Sequence, residues 1–398
     1  MLREFALLCG NRNKVMKPRV SLVSSSAGTC FGGAETYTLN TARILSADCE
    51  VHLVTGKGQP TDDLKNLLRS SGITLHGLRF ISRNSILSRT LIRGWFRTKL
   101  NELDVEALSL LCPPRGIRGI LERSDVVEVN YATEGLIFPL LPSRVRKIIH
   151  FHGPWLSPIY AHLKERINKS ADVLVTCSKW SKGELEKRLP AKSQVEVIYN
   201  GVDTDVFYPV DEPDFNTVET YDRGLPRFGT AGRLGAAKGT DLLMEVARTM
   251  QGKAEFFAAG PLDRAFAKEI ETKGAPANFH VLGPVSNHEL PGFYGFIDCF
   301  VLPTLFEAFS ITLVEAMASK KAVVASGVGG IPEVVEHKKQ GVLIPPNDGV
   351  ALKNAIGTMI ENPHFMSDMG ESGRVRALEK FSIQNMRREI KQLYLGAA

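Results

Sequence analysis

No stretch of the 398-residue chain approaches the ~18–20 consecutive apolar residues of a membrane span. The longest candidate, 135–141, is short and contains Pro139. Cysteines are few and scattered, at positions 9, 30, 49, 112, 177 and 299, and no two have Cys-x-x-Cys spacing. That pattern suggests neither a disulfide framework nor a zinc site, and a reducing compartment is the simplest reading. The first fifteen residues hold only a brief apolar patch, Phe5-Ala6-Leu7-Leu8, followed by Asn11, Arg12, Asn13 and Lys14. That order does not fit a secretory signal. No short-period repeat is present.

What is there is an ordinary globular composition, 43% hydrophobic and 23% charged, long enough for two domains. Short β-branched runs at 19–24, 50–55, 126–130, 147–151, 172–176 and 194–199 alternate with helical patterns. A second series follows at 227–231, 254–259, 278–282, 299–303, 322–326 and 341–345. Strand–helix alternation predicts parallel sheets, so the expected fold is α/β, two doubly wound Rossmann-like domains facing a central cleft. The expected divisions are an N-terminal extension at 1–16, an acceptor-side domain at 17–205, a Pro-rich acidic linker at 206–226 and a donor domain at 227–380. A last helix, 381–398, is expected to pack back on the first domain.

In open parallel sheets, ligands bind beyond the carboxyl ends of the strands, so loops after strands are where chemistry is sought. Glu307-Ala308-Phe309-Ser310-Ile311-Thr312-Leu313-Val314-Glu315 follows a strand and enters a helix. It places one carboxylate in the loop and a second one to two turns along, with helix N-terminal amides near Phe309, Ser310 and Ile311. Such amides suit anionic or hydroxylated groups. A solvated helix with ordinary glutamates explains this stretch, taken alone, equally well. Gly232-Arg233-Leu234-Gly235-Ala236-Ala237-Lys238-Gly239 also follows a strand, and the cations Arg233 and Lys238 fit a diphosphate. Gly32-Gly33-Ala34-Glu35 follows the first strand, where glycines let backbone approach a phosphate or simply make a tight turn.

Together these elements resemble the family 4 glycosyltransferases of two-Rossmann-domain (GT-B) architecture. The resemblance extends over nearly the whole chain from Lys17 and includes His150-Phe151-His152-Gly153, Ile198-Tyr199-Asn200-Gly201-Val202-Asp203 with Phe207, and Val281-Leu282-Gly283 with Glu289-Leu290. Gly329-Gly330-Ile331-Pro332-Glu333 completes it. It implies a retaining, metal-independent hexosyltransferase using a nucleotide diphosphate sugar; the resemblance does not decide between uridine and guanosine as the base, and a UDP-sugar is the favoured expectation. By the same resemblance Glu307 holds donor-sugar hydroxyls, Glu315 the ribose, and Arg233 with Lys238 the diphosphate. Gly32 and Gly33 face the phosphates, the amides of Phe309, Ser310 and Ile311 bind sugar or phosphate, and His152 lies near the donor sugar. Ala308 stands where the family usually has Gly. A nucleotide-sugar epimerase and a decayed nucleotide-binding protein are the competing readings.

No cofactor or metal is expected; the nucleotide sugar is a substrate. Asp203-Thr204-Asp205 has D-x-D form but sits beside the linker, and His150 and His152 alone make a poor zinc site. The charge is uneven. Through Asp205 there are 29 basic and 20 acidic residues, net +9, and after it 20 and 23, net −3. The run 79–100 holds Arg79, Arg83, Arg89, Arg93, Arg97 and Lys99 without an acid, interleaved with Trp95, Phe96 and aliphatics. It reads either as a surface for an anionic membrane or as a helix with snorkelling arginines. The acceptor is unspecified, a lipid-linked one being consistent with this run. Nucleic acid is not an expected partner, and the expected location is cytoplasmic, peripheral on a membrane.

Overall fold

The computed structural model describes residues 17–24, 32–56, 65, 68–78, 113–154, 165–189, 193–210, 215 and 220–396. The chain forms two compact units, 1–199 with 386–398, and 200–385.

The first unit holds a seven-stranded sheet of β1 (Arg19–Ser24), β2 (Glu50–Thr55), β3 (Thr74–Gly77), β4 (Val126–Val129), β5 (Arg146–Phe151), β6 (Val173–Thr176) and β7 (Val195–Val197). Their order is β3-β2-β1-β4-β5-β6-β7. Every pairing is parallel, for example Val20 with Val51 and with Val126. The apolar runs make near-continuous buried strands, as expected where helices cover both faces. Val23, Val127, Val129, Ile149 and Phe138 form part of its core.

The second unit holds β8 (Arg227–Ala231), β9 (Glu255–Ala259), β10 (Phe279–Gly283), β11 (Cys299–Leu302), β12 (Ala322–Ser326) and β13 (Gly341–Ile344), in the order β10-β9-β8-β11-β12-β13, again all parallel. Phe228, Phe256, Val301, Val324, Leu352 and Met359 lie in its core. Both sheets are doubly wound, as the strand–helix alternation predicts.

The strand order reverses between β1 and β4 in one unit and between β8 and β11 in the other. At such switch points adjacent loops leave in opposite directions and open a crevice beyond the strand ends. Each unit therefore presents such a crevice; Gly32 and Gly33, Arg233 and Lys238, and Glu307 come after strands that form one, and His152 follows the neighbouring β5.

The division falls at Tyr199 and Asn200, ahead of the stretch 206–226 that the sequence suggests as a linker. The physical reason is packing. Arg374 donates to the carbonyls of Thr204, Phe207 and Ala318, tying 204–207 to the second unit. Phe215 packs edge-on against Phe293, and Tyr221 against Phe257 and Phe296. Phe381 stays with the second unit against Phe309, whereas from Met386 the last helix, Ile383–Leu395, belongs to the first. There Lys391 pairs with Asp48 at 2.5 Å. Residues 1–16 and the basic run 79–100 lie outside the described residues. Among the described residues no helix is long and apolar enough to cross a membrane.

Candidate active site

In the second unit, β8 and β11 deliver the two loops of interest. The backbone after β8 turns through Gly232 and reaches Gly239, whose φ of 67° is left-handed. A Cβ at Gly239 would lie 2.0 Å from the carbonyl oxygen of Pro303, so only glycine lets the loop press this closely on the end of β11. Hydrogen bonds fix the approach. Leu305 N–H donates to the Ala237 carbonyl at 3.1 Å, and Thr304 Oγ1 donates to the same oxygen at 2.9 Å. The result is a direct ion pair between Lys238 and Glu307. Arg233 is exposed in the same loop and forms no ion pair among the described residues.

Glu307 is buttressed from behind. Its carbonyl accepts from Gly330 N–H at 3.0 Å, and a Cβ on Gly329, where φ is 57°, would come within 1.9 Å of that oxygen. The Gly-Gly motif at 329–330 thus serves the Glu307 loop by letting a second loop touch its backbone.

Ser310 follows, with φ 79°, a costly conformation for a residue with a side chain. It caps the helix Ile311–Ala318, its Oγ accepting from Leu313 N–H at 3.4 Å. Phe309 is buried against Phe381, so it can offer a ligand only its backbone. Ala308 is also buried.

Glu315, one turn along, is buried, and Tyr294 Oη donates to its Oε2 at 2.8 Å. Burial pushes the Glu315 pKa up to about 7, against the lowering effect of the tyrosine bond. Glu307 and Glu315 therefore sit in different electrostatic settings, one against a lysine and one against a neutral phenol.

In the first unit, Gly32 and Gly33 start the helix Gly33–Ser46 just beyond β1. A Cβ on Gly32 would lie 2.7 Å from Glu35 Oε2, because that carboxylate folds back over the helix start. Tyr131 Oη donates to Glu35 Oε1 at 3.3 Å. His152, beyond β5, bonds through Nε2 to Asn130 Oδ1, beyond β4, at 3.0 Å. The His152 ring packs against His150 and Tyr37 with centroids 4.3 and 5.3 Å away. Burial lowers its pKa to about 3, although the residue keeps partial solvent access, which works against so large a shift. The imidazole is neutral near neutral pH. His150 is wholly buried and stacks on Tyr37 at 3.9 Å.

The structure thus brings Lys238 to Glu307, and places Arg233, Phe309, Ser310 and Ile311 in the loops around them. In the other unit it sets Gly32, Gly33 and His152 at the ends of neighbouring strands. The sequence reading missed Tyr294 and Asn130. Asn130 stands at a strand's carboxyl end, a position that signals function, whereas nothing local marks Tyr294. Asp205 N–H donates to Asp203 Oδ1 at 3.1 Å, a local turn. Among the described residues no three His, Cys, Asp or Glu side chains are grouped to hold a metal.

Residues 31–206 match the model of the family described as Glycosyltransferase Family 4, and residues 215–376 that described as Glycosyl transferases group 1. The chain is 28% identical over 245 residues to the alpha-maltose-1-phosphate synthase of Mycolicibacterium smegmatis, a match covering 57% of this chain and 63% of that protein. It is 26% identical over 260 residues to the GDP-mannose-dependent alpha-(1-6)-phosphatidylinositol monomannoside mannosyltransferase of the same organism, covering 62% and 68%. The crystal structure of Anabaena HepE in complex with UDP and glucose superposes with a TM-score of 0.75 at 18% identity, covering 96% of this chain and all of that one. With these matches and the two doubly wound units, the chain belongs to the family 4 glycosyltransferases of GT-B architecture.

Proposed function

We propose that this enzyme transfers a hexose from a nucleoside diphosphate sugar to a lipid-linked acceptor in glycolipid or polysaccharide synthesis, with retention of configuration and without a divalent metal. The observation that carries the reading is the Lys238–Glu307 pair. It sits at the strand pair where the sheet order reverses, ahead of the helix that begins at Ile311.

Cleavage of a glycosyl phosphate bond puts negative charge on the diphosphate and positive charge on the sugar. Lys238 and Arg233 meet the first, so no metal ion is required for that purpose. Glu307 accepts from sugar hydroxyls near the reacting carbon. The amides of Phe309, Ser310 and Ile311 complete the anion and hydroxyl contacts, and Glu315 accepts from the ribose. Gly32 and Gly33 present backbone to the phosphates, and His152 touches the donor sugar. The departing phosphate oxygen takes the acceptor's proton, so the paired carboxylates of a glycosidase are not needed.

A lipid-linked acceptor and a peripheral cytoplasmic site are supported by the +9 charge through Asp205 and by the phosphatidylinositol mannoside named for the relative. Uridine is the expected base, and the relative's name makes guanosine the comparison. Thermal shifts with UDP and GDP decide between them, since a ligand at ~100 times its Kd adds ~2.7 kcal/mol of stability. Acceptor-dependent release of nucleoside diphosphate that survives a chelator supports transfer. Interconversion of sugar epimers without acceptor, or no turnover of any donor, overturns it.

A further inference from the structure

Asn130 is held from three directions. Its backbone N–H donates to the Val23 carbonyl at 3.0 Å and lies 3.1 Å from Glu134 Oε2. Its side-chain Nδ2 donates to the same Val23 carbonyl at 3.4 Å. The last contact fixes the amide. A flipped Asn130 would turn its oxygen toward the oxygen of Val23, two acceptors facing each other with no proton between them. Oδ1 must therefore face His152 Nε2, 3.0 Å away. An amide oxygen only accepts, so Nε2 carries the proton. In a neutral imidazole the other nitrogen is then a bare acceptor. Nδ1 takes no hydrogen bond among the described residues.

We infer that Asn130 is a positioning residue that holds His152 as the Nε2–H tautomer, so that Nδ1 offers a lone pair to a substrate hydroxyl. This rests on the placing of His152 at the donor sugar proposed above. The ligand chemistry follows. A bare Nδ1 attracts an O–H and repels a phosphate oxygen, so the group His152 meets is a sugar hydroxyl and not the diphosphate.

The test uses the full chain with nitrogen-15 histidine. Long-range proton–nitrogen correlations report the tautomer directly, and His152→Phe assigns the signal. Wild type is expected as Nε2–H, Asn130→Ala as a mixture of tautomers, and Asn130→Asp, which keeps an acceptor there, as Nε2–H at alkaline pH. Loss of orientation should lower turnover of Asn130→Ala by about 10–100-fold while nucleoside diphosphate affinity stays near wild type. A merely structural asparagine would change stability and leave the tautomer alone. A wild-type Nδ1–H signal, or a wild-type signal in Asn130→Ala, overturns the inference. A changed tautomer with unchanged turnover overturns its substrate-facing half. If wild type turns over no nucleotide sugar, the functional proposal fails, and the nitrogen spectrum still decides the tautomer.

Discussion

In the first unit Glu128 and His150 are buried beside Tyr37, and among the described residues neither carboxylate oxygen and neither ring nitrogen is hydrogen-bonded. In the second unit two buried carboxylates have partners. Glu315 has Tyr294 and Glu255 has His280 at 2.7 Å, while the half-buried Arg227 meets Asp298 through two nitrogens. Burial without a partner penalises the charged form, so it raises the pKa of Glu128 and lowers that of His150. The first unit therefore keeps neutral, proton-sensitive groups under its predicted site, whereas in the second the Lys238–Glu307 and Arg227–Asp298 pairs hold charge in place. Electrostatic catalysis works through fixed charge, so the donor chemistry proposed above draws chiefly on the second unit.

The sharpest way to break that contrast is to remove fixed charge. Lys238→Ala should lower donor turnover by about 10²–10³-fold, the scale seen when one preorganised electrostatic contact is lost. Steady-state kinetics with the donor identified by thermal shift will show it, and near-wild-type turnover would remove Lys238 from the site. Next in size is the backbone that seats the pair. Gly329→Ala must fit a Cβ against the Glu307 carbonyl at a φ of 57°, at a cost of roughly 2–3 kcal/mol. Its thermal midpoint should fall by several degrees, and an unchanged midpoint would mean that the two loops separate freely.

Much of this arrangement was legible in the sequence, for identifiable reasons. Buried parallel strands are continuous apolar runs, and the runs at 19–24, 50–55, 227–231 and 322–326 coincide with β1, β2, β8 and β12. β3 was not foreseen, because Thr74–Gly77 is a partly exposed edge strand without an apolar run, its His76 bonded to His52 at 2.9 Å. Arg233, Lys238, Glu307 and Glu315 were legible as charges in loops after strands and at a helix start. Tyr294 and Asn130 were not, because their partners stand 21 and 22 residues away and meet them only through the fold. The Gly329-Gly330 pair was visible as a motif, but its close approach to Glu307 is a tertiary fact. The left-handed Ser310 carries no glycine to announce it.

The proton-sensitive core of the first unit makes a smaller, pH-dependent prediction. Glu128 has a raised folded pKa, so the stability tied to its proton is complete below the unfolded value near 4.5 and is lost as pH rises toward the folded one. His150 and His152 have lowered folded pKa values and act oppositely, their contribution being present above about 6.5 and lost as pH falls. Glu315, raised to about 7, behaves like Glu128 but has released its proton beyond that point. The raised pKa of Glu128 therefore makes stability fall as pH rises from the unfolded value toward the folded one. Denaturant titrations from mildly acid to alkaline pH should show this fall in wild type and a shallower one in Glu128→Gln. Equal slopes would mean that Glu128 is already ionised.

The smallest effect sharpens the comparison from the other side, by making a partnered carboxylate of the second unit resemble the unpartnered one of the first. Tyr294→Phe removes only the hydroxyl that donates to Glu315 Oε2. The ring stays buried between Phe293 and Phe300, so the fold should tolerate the change. The tyrosine bond lowers the Glu315 pKa against the pull of burial. Without it the pKa rises further above about 7, and more of the carboxyl is protonated at neutral pH. A protonated carboxyl has given up part of its acceptor capacity, which is what a ribose hydroxyl needs. Losing one hydrogen bond of this kind is worth about 1 kcal/mol, or roughly fivefold in nucleoside diphosphate affinity. Calorimetric titration should find that deficit at neutral pH and recover most of it in more alkaline buffer, whereas Glu315→Gln should show the deficit at both. If Tyr294→Phe binds like wild type throughout, the tyrosine only fills space and Glu315 is held by its burial alone.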